Sequence, residues 1–283
     1  MSLRDRHGRR LYMTAYGAGG GAVRLDAAMF DAALRLRRAL TGAPRFFARA
    51  IEKLLGLSPA RLEIRFWDGR SMLLSAPPDQ WNFLCDIHGI ILRDQYDVGD
   101  LTGKIVADAG ANIGVFSLYA FSLGAEKVYA FEPVRETFEL LKANLALSRT
   151  GKAVEAVHIA LGERAGSAEI RFNTRGEGSA MMADAGEEVN RGVTYAGLRR
   201  VRVAPLDSLI KGRVDFLKID VEGYEENVLL GAAGLIRSCK PALSMSAYHR
   251  RADRETLTRA VLRIRGDYGV TLNTFAEHDL RCR

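Results

Sequence analysis

Three carboxylates stand where apolar runs stop. Ile105, Val106 and Ala107 lead into Asp108, Lys127 to Phe131 lead into Glu132, and Val214 to Ile219 lead into Asp220. Short apolar runs of this kind are expected of strands buried on both faces. After Asp108, Gly110 and Gly114 bracket a turn, and Val115 to Leu123 reads as the helix that follows. Glycine takes positive φ in a tight turn and lets a ligand approach the backbone. The helix start behind such a turn offers unpaired N–H groups to an anion. Gly110 to Gly114 is G-x-x-x-G, so it is neither a dinucleotide fingerprint nor a P-loop. A carboxylate that ends the second strand accepts hydrogen bonds from both hydroxyls of a ribose. Acidic end, glycine turn, acidic end together suggest S-adenosylmethionine, with Asp108, the turn and Glu132 as its site.

The second dense stretch is Lys218-Ile219-Asp220-Val221-Glu222-Gly223-Tyr224-Glu225. Carboxylates here can cap a helix and match its dipole. That account suits Glu225 and Glu226. It suits Asp220 less, because Asp220 ends an apolar strand.

These residues need a frame. From residue 104 onward strands alternate with helices: Lys127 to Phe131, a helix over 134–148, a strand over 154–159, a short strand over 168–172, and an alternating run over 198–203. Val214 to Ile219, a helix over 224–230, a strand over 241–247, a helix over 255–265 and a last strand over 270–275 complete the series. Such alternation is an α/β fold with a mostly parallel, doubly wound sheet, whose ligands bind at the carboxyl ends of the strands. Asp108, Glu132, Ala160-Leu161-Gly162, Asp220 and Tyr248-His249 all fall at those ends. Asn173 to Gly197 has no period, and a loop this long inside a domain is often functional.

Residues before 104 read as an extension. Residues 1–21 are basic and then glycine-rich, the pattern of a flexible arm. Asp26 to Leu40 and Pro44 to Leu55 carry apolar residues at helical spacing, with Arg35, Arg37, Arg38, Arg45 and Arg49 on the polar face. Basic amphipathic helices can bind membranes or partners, but most pack on their own domain, and that reading is preferred. Arg61 to Phe66 and Ser71 to Ser75 flank an Asp-Gly turn and read as a hairpin. A helix over 79–92 leads into the core. The expected organisation is 1–60 basic arm and helical extension, 61–103 hairpin and helix, and 104–283 catalytic core.

Composition bounds the rest. With 283 residues, 48% of them hydrophobic, the chain can fill the core of one large α/β domain plus an extension. The net charge of +7 is modest and concentrated toward the start; a solvated surface explains it more simply than nucleic acid or membrane does. Cys85, Cys239 and Cys282 lie far apart, so neither a zinc site nor a redox motif is supported. No apolar run has the length of a membrane span and no secretory leader is seen, which points to the cytoplasm.

Five motifs occur in order: Asp-Ala-Gly-Ala-Asn-Ile-Gly (108–114), Phe-Glu-Pro (131–133), Ala-Leu-Gly-Glu (160–163), Leu-Asp-Ser-Leu (206–209) and Lys-Ile-Asp-Val-Glu-Gly-Tyr-Glu (218–225). The set resembles the FkbM-type S-adenosylmethionine-dependent methyltransferases over roughly residues 61–275. The resemblance implies a class I methyltransferase (Rossmann-like) fold and methylation of a hydroxyl on a small molecule, sugar or polyketide-like product. It also implies that Gly110, Ala111, Asn112 and Gly114 cradle the methionine end of the cofactor. Glu132 then holds the ribose, Ala160 and Leu161 line the adenine, and Asp220 sits near the sulfonium. Ala109 stands where the family often has valine, and residues before 60 have no counterpart in it.

Methyl transfer needs the acceptor oxygen held behind the methyl carbon, and an alcohol must also lose its proton. His249 is the first candidate base, because imidazole titrates near neutral pH; beside Arg250 and Arg251 it reads equally as a surface histidine. Asp220 is the second. Asp220, Glu222 and His249 have donors enough for a divalent ion, but their spacing is not diagnostic and no metal is assigned. His88 and Tyr96 precede the first strand and are placed to close over the cofactor, though their types fit a helix surface and a core as well. Trp67 and Trp81 read as packing. A small-molecule or glycan acceptor is expected, with an acidic carrier protein as a partner for the basic extension. A nucleic-acid methyltransferase and a non-enzymatic docking module are the alternatives. Against the first, no Asn/Asp-Pro-Pro-Tyr stretch and no Pro-Cys pair is present.

Overall fold

The structure is a computed structural model and describes residues 3–40, 43–77, 81, 83–172, 180–182 and 197–283. The apolar runs become the strands of a seven-stranded sheet: Ile105–Ala109, Lys127–Phe131, Val154–Val157, Phe216–Ile219, Ala242–Ser246, Val270–Asn273 and Asp279–Cys282. Across the sheet the order is 270–273, 279–282, 242–246, 216–219, 105–109, 127–131, 154–157. The first five in chain order run parallel. Ile105–Ala109 and Phe216–Ile219 are neighbours, and the chain winds away from them in both directions. A crevice opens at the carboxyl ends of strands at such a switch point. Register sets Lys218 beside Asp108 and Ile219 beside Ala109.

The alternation of side chains along the strands fills two cores, one on each face. Val106 and Val128 belong with Phe116, Leu141 and Leu145, whereas Ala107, Ala109 and Leu217 belong with Val228, Leu257 and Val261. The expected α/β, mostly parallel, doubly wound sheet is present. Two elements are additional. Ala233–Cys239 is a second helix after Glu225–Gly231, and Asp279–Cys282 lies antiparallel between two strands that it joins.

Ala160–Leu161 was expected at a strand end and is itself a short strand. It pairs with Gly197–Ala204 in a small sheet completed by Gly166–Phe172 and Ala180–Met182. Of the irregular stretch 173–197, residues 173–179 and 183–196 lie outside the described residues, and Ala180–Met182 is a strand.

The extension departs most from expectation. In place of a flexible arm, Leu3–Arg4, Arg10–Gly17 and Ala22–Leu25 form a sheet with Pro59–Arg65 and Ser71–Leu74. The cause is a period of two: Leu11, Met13 and Ala15 point inward and are buried, and Tyr12 and Thr14 point outward. Helices Ala27–Ala39 and Pro44–Leu55 lay Phe30, Phe47 and Ile51 on the same core as Leu62 and Ile64, so their apolar faces are used within the chain. The helix expected over 79–92 is an α-turn, Phe83–Asp86, continued by a π-helix, Ile87–Leu92; residues 79, 80 and 82 lie outside the described set.

Asn144 fastens this sheet to the core. It is fully buried on helix Arg135–Leu147, accepts from the Ser75 N–H at 2.7 Å and donates to the Ile113 carbonyl at 2.9 Å. One amide thus joins the extension to the glycine turn.

Candidate active site

The glycine turn is dictated by what lies behind it. Gly110 has φ +79°, and a Cβ there would lie 1.9 Å from the Asp220 carbonyl oxygen. No other residue fits. Asn112 also has positive φ, which asparagine tolerates better than most. The N–H groups of Gly110 and Ala111 both donate to the Phe131 carbonyl, at 3.1 and 2.9 Å. The Asn112 N–H donates to Glu132 Oε2 at 3.0 Å, and the Val134 N–H to Oε1 at 2.8 Å. Glu132 is therefore aimed by backbone on both oxygens, each of which keeps a lone pair for a ligand hydroxyl. Burial pushes its pKa up to about 7 against those two hydrogen bonds and Lys218.

Asp108 does not face the cleft. It is fully buried, accepts from Ser117 Oγ at 2.6 Å and pairs with Lys218 Nζ at 3.0 Å. The expectation that Asp108 touches the cofactor is corrected accordingly: strand pairing turns its side chain into the core. Lys218 Nζ also donates to the Gly110 carbonyl at 2.6 Å and the Ala109 carbonyl at 3.2 Å. Burial works against the lysine charge, but Asp108 and Asp220 hold its pKa above the ordinary value. This pair shapes the turn from beneath. Gly114 likewise faces away, with a Cβ position 2.7 Å from Leu141, so of the turn residues Gly110, Ala111 and Asn112 line the cleft.

His249 is also displaced from its expected place. It is buried, absent from the cleft lining, and ringed by carboxylates: Nδ1 lies 3.0 Å from Glu225, and Nε2 lies 3.3 Å from Glu222 and 3.7 Å from Asp220. Burial favours the neutral ring, but Glu222 and Glu225, then Asp220, push its pKa up to about 12. At neutral pH it is an imidazolium and holds no lone pair for a proton. Glu225 Oε1 also accepts from the Val221 and Gly223 N–H groups, both at 3.1 Å, and fixes the turn behind Asp220. The donors of Asp220, Glu225 and His249 lie within 4.8 Å of one another, a spacing a cation can bridge.

Asp220 lines the cleft and accepts from the Tyr96 hydroxyl at 2.8 Å. Burial works to raise its pKa, but Lys218, His249 and Tyr96 hold it below the ordinary value. It is an anchored anion. Asp207, of the Leu-Asp-Ser-Leu motif, accepts from the Gly234 and Leu235 N–H groups at 2.7 and 2.9 Å and serves the fold.

The cleft has a volume of about 590 Å³. Gly110 to Asn112, Glu132, Asp220, Ala160 and Leu161 form its core wall. The extension supplies a second part of the lining, the extension wall, with Arg38, Asp86, His88, Arg93 and Tyr96. Asp86 was not singled out in the sequence. Its pKa is pushed up to about 7 by burial first, then by Asp220 and Glu277. That of His88 is lowered by burial, Arg38 and Arg93.

A family model described as the Methyltransferase FkbM domain matches residues 108–278, more than half of the chain. This chain belongs to the FkbM methyltransferase family. It is 30% identical to the methyltransferase sdnD of Sordaria araneosa, over 48% of this chain and 63% of that protein. It is 34% identical to the AMB antimetabolite synthetase AmbE of Pseudomonas aeruginosa, over 45% of this chain and 8% of the synthetase. The chain thus spans less than two-thirds of the length of either relative. Among solved structures it is similar to the FkbM methyltransferase of Methylobacillus flagellatus KT, at 22% identity and a TM-score of 0.48, over 74% of this chain and 56% of that one.

The fold is that of a class I, Rossmann-like methyltransferase, and the cofactor is S-adenosylmethionine. The residues present fit it. The core wall offers backbone that only glycine permits at Gly110, a carboxylate aimed at the cleft in Glu132 and an anchored anion in Asp220. Among the described residues no helix is long and apolar enough to cross a membrane.

Proposed function

We propose that this cleft transfers the methyl group of S-adenosylmethionine to a hydroxyl oxygen of a small molecule, a sugar or a carrier-tethered biosynthetic intermediate. One observation carries the reading: the same cleft is lined by Glu132 and Asp220, whose oxygens are held by hydrogen bonds, and by Asp86, whose carboxylate has no such bond among the described residues. The cofactor supplies an activated methyl group. The chain holds the acceptor oxygen in line and manages its proton. Glu132 takes the ribose, Gly110 to Asn112 the methionine end, Ala160 and Leu161 the adenine, and Asp220 balances the positive sulfur.

The acceptor class is tested by incubating the protein with methyl-tritiated S-adenosylmethionine and a panel of alcohols, sugars, amines and activated methylene compounds. Products methylated on oxygen are expected. Products methylated on nitrogen or carbon alone would sink the reading. Calorimetry with S-adenosylhomocysteine checks the cofactor assignment separately, with Glu132→Ala weakening binding.

A carrier-tethered acceptor is supported by the exposed Arg35, Arg45 and Arg49 on the extension helices, which suit an acidic partner. Charge reversal at these three positions should raise KM for a carrier-bound acceptor and leave KM for the free acceptor unchanged. Equal effects on both acceptors would remove the carrier.

A further inference from the structure

The chemistry needs a group that takes a proton, and the two residues nominated for it, His249 and Asp220, are already committed, as are the neighbouring carboxylates. His249 carries its proton between carboxylates, Asp220 is bonded to Tyr96, and Glu132 is held on both oxygens by backbone N–H groups. Glu222 pairs with His249. Asp86 is different. It lines the cleft, partly exposed, and no hydrogen bond or ion pair ties its carboxylate among the described residues. It ends the Phe83–Asp86 turn where the helix widens into the π-helix Ile87–Leu92, a form frequent at functional sites. The charges that act on it are Asp220, Glu277, Lys218 and Glu222. Three of these come from the Lys218–Glu222 stretch, where the sulfonium is expected. His88 also lines the cleft, but the charges acting on it are Arg38, Arg93 and Asp31, none of them from the Lys218–Glu222 stretch.

We propose that Asp86 is the general base of the transfer. Its carboxylate takes the proton of the acceptor hydroxyl while that oxygen bonds to the methyl carbon. The carbon–sulfur bond breaks with its electron pair left on sulfur, and the proton passes from Asp86 to water after product leaves. Untied, the carboxylate can swing to an incoming hydroxyl. Crowded by like charges, it gains by accepting a proton near neutral pH. The inference rests on the oxygen acceptor proposed above.

The test is Asp86→Asn in the full chain. With the alcohol acceptor found by tritium transfer, kcat should fall about 100-fold or more, the size expected of a lost general base. Affinity for S-adenosylhomocysteine should stay within about threefold, because the core wall is untouched. Wild-type kcat should rise with pH through an acid limb near 7, and that limb should vanish in Asp86→Asn and return in Asp86→Glu. Carbon-13 NMR of aspartate-labelled protein reads the carboxyl without any acceptor, and one signal titrating near 7 should be missing from the variant. Turnover within threefold of wild type in Asp86→Asn would overturn the proposal. So would an acid limb removed by His88→Asn instead, or an Asp86 signal titrating in the ordinary carboxylate range. Methylation on nitrogen or carbon alone is seen with unmodified protein, so failure of the acceptor reading is told apart from failure of the base.

Discussion

The two walls of the cleft hold their carboxylates differently. On the core wall the carboxylates have partners: Glu132 has two backbone N–H groups and Asp220 has the Tyr96 hydroxyl, and behind them Asp108 is bonded to Ser117 and Lys218 and Glu225 to two N–H groups and His249. On the extension wall Tyr96 and Arg93 are bonded, to Asp220 and to the Phe275 carbonyl, but the Asp86 carboxylate stands without such ties among the described residues. Groups that bind a ligand of fixed chemistry can be set in advance, and doing so saves reorganisation at the moment of reaction. A group that must change its proton state cannot be locked by bonds that favour one state. The contrast separates binding from chemistry within one crevice.

The contrast can be broken at several points. The largest effect is expected for Lys218→Met, which strands Asp108 as a buried charge. Loss of one partner of a buried pair costs about 3–5 kcal/mol, read as a lower denaturant midpoint. Adding Asp108→Asn should recover much of that loss, and an unchanged midpoint in the single variant would show that the pair does not hold the turn. Next comes Gly110→Ala. Its Cβ meets backbone, so about 1–3 kcal/mol of overpacking should appear as weaker S-adenosylhomocysteine binding by calorimetry. Wild-type affinity there would mean the turn yields.

Glu132→Gln should weaken binding by about 1.5 kcal/mol, the scale of hydrogen bonds to a charged group. It also carries a pH signature. The folded pKa of Glu132 lies above its unfolded value, so the wild-type apoprotein loses stability as pH rises from the ordinary carboxylate range through about 7. Melting curves should therefore show Glu132→Gln gaining on wild type at pH 8 relative to pH 4; a gap independent of pH would place the carboxylate in water. An effect of similar size is expected for Tyr96→Phe, about 1.5 kcal/mol from one lost hydrogen bond to a charged group. It should appear in thermal unfolding, and a larger loss would mean that Tyr96 anchors more than Asp220.

The core wall was largely legible from the sequence because it is written locally. Apolar runs fix the strands, their ends fix Glu132 and Asp220, and the glycines fix the turn. What was not legible depends on neighbours distant in the chain. Asp108 looks like a site residue until strand pairing sets it beside Lys218. His249 reads as a neutral imidazole until folding brings Glu222, Glu225 and Asp220 around it. Asp86 sits in an ordinary helical pattern and gains meaning only from the wall it joins. In the extension the signal was present and outweighed: Leu11, Met13 and Ala15 alternate as a strand should, among arginines and glycines that suggest an arm.

The interior position of the Arg10–Gly17 strand has a practical consequence. It pairs on one side with Leu3–Arg4 and Ala22–Leu25 and on the other with Pro59–Arg65. A protein trimmed to begin near residue 60 would keep every recognisable motif yet leave Pro59–Arg65 as an open edge, with Leu62 and Ile64 uncovered. Such an edge is a template for aggregation. Insolubility of the shortened chain would then report a torn sheet and carry no information about the acceptor, and point substitutions are the sounder way to ask what the extension does.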